Sequence, residues 1–116
     1  MNTVWIVVVV VVFLVVAGLS LRAAGADTAL AKEKINKGAL VIDVRTPAEY
    51  ASGHYTGATN VPLAELKARL LEIGDKQKPI VVYCASGIRS AKAAKILAAA
   101  GFLDVTNAGG LSNLDQ

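Results

Sequence analysis

Eight consecutive residues, Tyr83-Cys84-Ala85-Ser86-Gly87-Ile88-Arg89-Ser90, contain the only cysteine of the chain and an arginine five positions after it. A thiol becomes a nucleophile when it is held as thiolate, and positive charge or unpaired N–H groups close by do this. Ser86 and Gly87 let the backbone curl around a sulfur atom, because glycine has no side chain to block a nest of N–H groups. Arg89 supplies a charge that does not titrate. A lone cysteine is otherwise a small buried hydrophobe, so the surroundings decide between the two readings. Pro79-Ile80-Val81-Val82-Tyr83 before it is a short, apolar, β-branched run that reads as a buried strand. Ala91 to Ala100 after it is made of helix formers and ends at Gly101. The thiol therefore sits where a strand passes into a loop that opens a helix. Unpaired N–H groups and partial positive charge at that helix start stabilise an anion. This places Cys84 with the reactive cysteines.

Elements that could position such a loop are legible along the rest of the chain. Asp27 caps a helix over Thr28 to Lys37, with Gly38 as its stop. Leu40 to Val44 reads as a buried strand that carries Asp43 and Arg45 to its end. Thr46-Pro47-Ala48-Glu49-Tyr50 has the cap, proline and third-position glutamate of a helix start. Gly53 to Asn60 is a loop, and Val61 to Leu63 a short extended piece. A helix is expected from Ala64 to Ile73, with Leu63, Leu66, Leu70 and Ile73 on one face. A last short strand is expected around Val105, followed by a glycine turn at Asn107 to Gly110 and a polar tail. Strands alternating with helices argue for an α/β domain with a central, mostly parallel sheet covered on both faces. In such sheets the working site lies beyond the carboxyl ends of the strands. Cys84, the pair Asp43 and Arg45, and Asn107 to Gly110 each follow a strand end.

The chain has 116 residues and a formal net charge of +3, which suits one domain with a modest core. Basic and acidic residues are interspersed without an aromatic-studded basic run, which argues against nucleic-acid binding. One cysteine and one histidine exclude an internal disulfide and a multi-cysteine zinc site. The first 21 residues carry no charge, and Val4 to Leu21 is apolar over about the shortest length that spans a bilayer. Residues 1–22 therefore read as a membrane anchor or a signal peptide, 23–26 as a linker and 27–116 as the domain. Run length favours the anchor, while Ala24-Gly25-Ala26 fits a cleavage site near Ala26. Arg22, Lys32, Lys34 and Lys37 follow the run and favour a cytoplasmic domain by the positive-inside rule.

Asp43-Val44-Arg45-Thr46-Pro47-Ala48-Glu49-Tyr50, then Gly53-His54, then Gly57-Ala58-Thr59-Asn60-Val61-Pro62, resembles the first signature of the rhodanese family of sulfurtransferases. The segment from Cys84 to Ser90 resembles its active-site loop, and Asn107-Ala108-Gly109-Gly110 its closing glycine motif. The resemblance covers Asp27 to Leu114 and is greatest to small exported single-domain bacterial rhodaneses. It implies a three-layer rhodanese-like fold, a monomer, no cofactor, no metal and a periplasmic location. It further implies that Cys84 takes the outer sulfur of thiosulfate, carries it as a persulfide and passes it to cyanide or a thiol. Ala85, Ser86, Gly87, Ile88, Arg89 and Ser90 would hold the persulfide. Arg89 and Arg45 are candidates for the anionic donor, although Asp43 and Glu49 make Arg45 the better candidate for a scaffold ion pair. Asp43 and His54 are expected to be structural. Cysteine-dependent phosphatases and arsenate reductases are the competing enzymes, but they place five residues between cysteine and arginine. Four stand here, a smaller cradle that suits sulfur better than a phosphoryl group. A membrane-tethered persulfide carrier or redox sensor without turnover is the non-enzymatic alternative.

Overall fold

A computed structural model describes residues 2–12 and 25–114. A helix, α1, covers 3–12, and its apolar side chains from Val4 to Val12 are exposed. The remainder of the expected anchor or signal segment and residues 23–24 of the 23–26 linker lie outside the described residues. Among the described residues, no helix is long and apolar enough to cross a membrane.

From Thr28 onward the elements are α2 (Thr28–Asn36), β1 (Leu40–Asp43), α3 (Pro47–Ala51), β2 (Thr59–Asn60), a 3₁₀ helix (Leu63–Arg69), α4 (Leu70–Ile73), β3 (Ile80–Cys84), α5 (Ile88–Ala99), β4 (Val105–Gly110) and α6 (Leu111–Leu114). The strands form one sheet in the order β2-β1-β3-β4, and all three pairings are parallel. β3 is flanked on both sides and buried along its whole length, which explains its continuous apolar sequence.

Alternation along β1 and β3 builds two cores. Ile42, Val44, Ile80, Val82 and Cys84 face one side, where Leu66, Ile73, Ala93, Ala94 and Leu97 cover them. Val41, Val81 and Tyr83 face the other, against Ala31, Ala58, Ala108 and Leu114. A fully buried Leu or Ile of this kind contributes about 1.5–3 kcal/mol. The α5 residues Ser90, Ala93, Ala94 and Leu97 are buried at helical spacing, so this helix is pressed against the strand that carries the thiol.

Local chemistry explains the shorter elements. Asp27 caps α2 by accepting from the Leu30 N–H. Thr46 and Glu49 form a complete capping box on α3, with Pro47 at its first position. Four expectations need correction. The stretch expected as one α-helix from Ala64 is a 3₁₀ helix through Arg69 and becomes α-helical only at Leu70; Leu66 and Ile73 still reach the core. The extended piece expected at Val61 to Leu63 is a strand at Thr59–Asn60, although the Val61 and Leu63 N–H groups still bond the Asp43 and Val44 carbonyls. Asn107 to Gly110 is strand rather than turn: it forms most of β4, with a register shift between Asn107 and Gly109 opposite Val82 and Tyr83. The tail is not simply polar either, since α6 buries Leu114.

Candidate active site

Cys84 ends β3, and the chain turns at Gly87, whose φ of 97° suits a glycine, into the first turn of α5. The cysteine is fully buried, and its Sγ accepts the Gly87 N–H at 2.9 Å. The Ser90 hydroxyl lies 3.4 Å from the sulfur. Burial pushes the Cys84 thiol up, but the Ser90 hydroxyl and the N–H groups of Ser90, Gly87 and Ser86 outweigh it, and the net shift is downward from 9.0. These are the donors that a thiolate needs.

The loop is locked from behind by β4. A Cβ at Gly110 would collide with the Ala85 carbonyl oxygen, and one at Gly87 would lie 3.3 Å from Gly109 Cα. Backbone therefore packs directly on backbone, which explains the glycines at 87 and 110. Asn107 donates from Nδ2 to the Gly87 carbonyl at 3.4 Å and accepts the Gly109 N–H at 2.9 Å. Ser90 is the largest source of the downward shift on Cys84. Ser90→Ala is expected to raise the pH midpoint for alkylation of Cys84 by iodoacetamide; an unchanged midpoint would remove the hydroxyl from the account.

The two arginines differ from each other in their partners. Arg45 is buried against Asp43, with Nη2 2.6 Å from Oδ2, and the same nitrogen donates to the Gly53 carbonyl at 2.7 Å. Asp43 also accepts the Arg45 N–H at 2.8 Å and the Tyr83 hydroxyl at 2.7 Å. The Asp43 hydrogen bond raises the Arg45 pKa against an opposing effect of burial. Burial first, and then that same carboxylate, push the Tyr83 phenol up. Arg45 is thus tied into a buried scaffold beneath the rim.

Arg89 departs from the expectation of a guanidinium free to hold a donor. Its Nη1 and Nη2 donate to Glu49 Oε1 and Oε2 at 2.7 and 2.9 Å. From the sequence Glu49 is expected to cap α3 and, with Asp43, to pair with Arg45; Asp43 alone pairs with Arg45, while the partner of Glu49 is forty positions away and no local pattern announces that pairing. The Arg89 hydrogen bond holds the Glu49 carboxyl well down, at about 2, against a smaller upward effect of burial. A carboxyl lowered on folding stabilises the protein above its unfolded value of about 4.5, and that contribution disappears as pH falls toward 2. Glu49→Gln should therefore flatten the acid side of the stability–pH curve in that window, as read by thermal melts at each pH. His54 is exposed and structural in its contacts: Nδ1 lies 2.9 Å from the Tyr50 carbonyl, and its ring stacks on Tyr50 at 3.7 Å.

A buried, donor-wrapped thiol at the carboxyl edge of a parallel three-layer domain defines a cysteine-centred α/β site. The rhodanese-like domain model matches residues 27–114. The chain belongs to the rhodanese family. It is 43% identical over 74 residues to thiosulfate sulfurtransferase PspE of Escherichia coli (strain K12), covering 63% of this chain and 71% of that protein. Thiosulfate sulfurtransferase GlpE of Pseudomonas fluorescens (strain SBW25) is 39% identical over 69 residues, which span 60% of this chain and 62% of the relative. A solved structure described as a rhodanese with anions from E. coli aligns with a TM-score of 0.62 and 42% identity, over 66% of this chain and 91% of that one.

Proposed function

We propose that this protein is a sulfurtransferase that moves a sulfane sulfur from thiosulfate, or a similar donor, through a Cys84 persulfide to cyanide or a thiol. The observation that carries the reading is the Cys84 sulfur under the Gly87 N–H at 2.9 Å, with the Ser90 hydroxyl at 3.4 Å. Its relatives' names, thiosulfate sulfurtransferase in two cases, support the same chemistry.

In the first half-reaction the Cys84 thiolate attacks the outer sulfur of thiosulfate. A new S–S bond forms, the old one breaks, and sulfite leaves with its electron pair. The product, a cysteine persulfide, carries one negative charge. The N–H groups of the loop from Ala85 to Ser90 and the start of α5 would hold that charge. In the second half-reaction cyanide attacks the outer sulfur, thiocyanate departs, and the Cys84 thiolate returns. Donor and acceptor use the site in turn, which predicts ping-pong kinetics. Mass spectrometry of the intact protein after thiosulfate treatment should show one added sulfur atom, located on Cys84. A protein that gains no sulfur would sink the reading.

The apolar run from Val4 to Leu21 supports an anchor or an export signal, and resemblance to exported rhodaneses supports a periplasmic site. Labelling of Cys84 by a membrane-impermeant thiol reagent in intact cells is the expected result. Labelling seen only after lysis would place the domain on the cytoplasmic side.

A further inference from the structure

Charge presents a difficulty for the sulfur-transfer reading, on which this inference rests. A thiolate with one negative charge must meet thiosulfate, which carries two. The elements around the site bring two arginines, and each is matched by a carboxylate: Arg45 by Asp43 and Arg89 by Glu49. The Arg45 pair is buried beneath the rim, but the Arg89 pair is only partly buried, with about a third of each side chain exposed. Arg89 lies in the first turn of α5, and the charge on Cys84 acts on it. Each of its two terminal nitrogens donates to Glu49, so the end-on edge of the guanidinium is taken and its charge is matched by a carboxylate. What the loop itself offers an incoming anion is neutral N–H and O–H dipoles.

We propose that Glu49 is a specificity-determining residue: by holding Arg89 in an ion pair it disfavours doubly charged sulfur donors and favours donors that bring less negative charge. Glu49 touches no reacting atom in this scheme. It acts through Arg89, and so the effect of removing it depends on Arg89 being present.

The test compares two donors with cyanide as acceptor. Thiosulfate carries two negative charges and methanethiosulfonate one. Each gives its outer sulfur to Cys84, and sulfite or methanesulfinate leaves with the electron pair of the broken S–S bond. Glu49→Gln is expected to raise the ratio of kcat/KM for thiosulfate to that for methanethiosulfonate by roughly three- to tenfold, mainly through a lower KM for thiosulfate. Added salt should shrink the gain. Glu49→Asp, which keeps the carboxylate, should stay near the wild-type ratio. In an Arg89→Gln background, Glu49→Gln should raise the ratio by less, because only the carboxylate's own repulsion is removed and no guanidinium is released. A purely structural role would lower kcat for both donors alike and leave the ratio where it was, and that result overturns the proposal. So does a ratio that falls.

A measurement on the wild-type protein tests the premise without any variant. With the rim neutral, thiolate and dianion repel each other, so kcat/KM for thiosulfate should rise with ionic strength, and rise more than for methanethiosulfonate. A fall with salt would mean that Arg89 attracts the donor despite Glu49, and overturns the proposal. Absence of a persulfide from either donor defeats the sulfur-transfer reading and this inference together. A persulfide that forms with a donor ratio insensitive to Glu49 defeats this inference alone.

Discussion

Asp43→Ala is expected to lower the unfolding free energy by about 3–5 kcal/mol, the cost of removing one partner from a buried ion pair. Asp43 is completely buried and Arg45 is only 6% exposed. The aspartate accepts from the Arg45 backbone and guanidinium and from the Tyr83 hydroxyl. Without it, the guanidinium keeps the Gly53 carbonyl but no counter-charge. The Tyr83 hydroxyl still accepts the Tyr55 N–H but loses the acceptor for its own proton. For a domain of this size, each kcal/mol corresponds to roughly 4–8 °C in melting temperature, so the variant should melt far below the wild type. The second arm of the experiment separates pairing from packing. Asp43→Ala with Arg45→Met removes both charges and should recover part of the loss. A single variant within about 1 kcal/mol of the wild type would show that water reaches Arg45 and that the cluster does not brace the sheet.

Cys84→Ser should abolish steady-state thiocyanate production, by on the order of 10⁴-fold or more, on the scale seen when other enzymes lose a nucleophile. Serine preserves the shape of the site and can accept the same Gly87 and Ser90 hydrogen bonds, so the fold should survive and the stability change should be small. The hydroxyl remains protonated, however, and forms no persulfide. The expected pattern is thus a normal melting curve, no sulfur adduct by mass spectrometry and no turnover. Residual turnover near the wild-type rate would move the nucleophile elsewhere.

The order of elements was legible because each announces itself locally. β3 is five apolar or small residues without a break, α3 has a complete capping box, and Gly87 marks a left-handed turn. Less legible was anything that depends on what lies opposite. Residues 63–73 have a helix-like apolar stripe, yet the chain packs there as 3₁₀ before it becomes α, a choice made by the surface beneath it. The glycines at 109 and 110 looked like a turn because glycine usually marks one. They are strand residues: a side chain at Gly110 would strike the Ala85 carbonyl, and Gly109 takes a positive φ of 89° where a Cβ would crowd the Asn113 side chain. At the site, Cys84 and its loop could be read from a single segment. The Glu49–Arg89 pair could not, since it joins the start of α3 to the start of α5 across forty residues.

The parallel sheet has a kinetic consequence. A parallel pairing cannot be closed by a hairpin: β1 meets β3 by joining Leu40 to Ile80, and β3 meets β4 by joining Ile80 to Val105. Thr28 bonds the Ala108 carbonyl, eighty positions away. Such long closures slow folding relative to a helical bundle of equal length. The residues from Cys84 to Ser90 are contiguous, but their curl is held by the Asn107 side chain on the Gly87 carbonyl and by Gly110 against Ala85. Both contacts wait for β4, the last strand of the sheet to be synthesised. Until it docks, the loop around Cys84 lacks both contacts; the arrangement of donors that lowers the thiol pKa belongs to the finished domain.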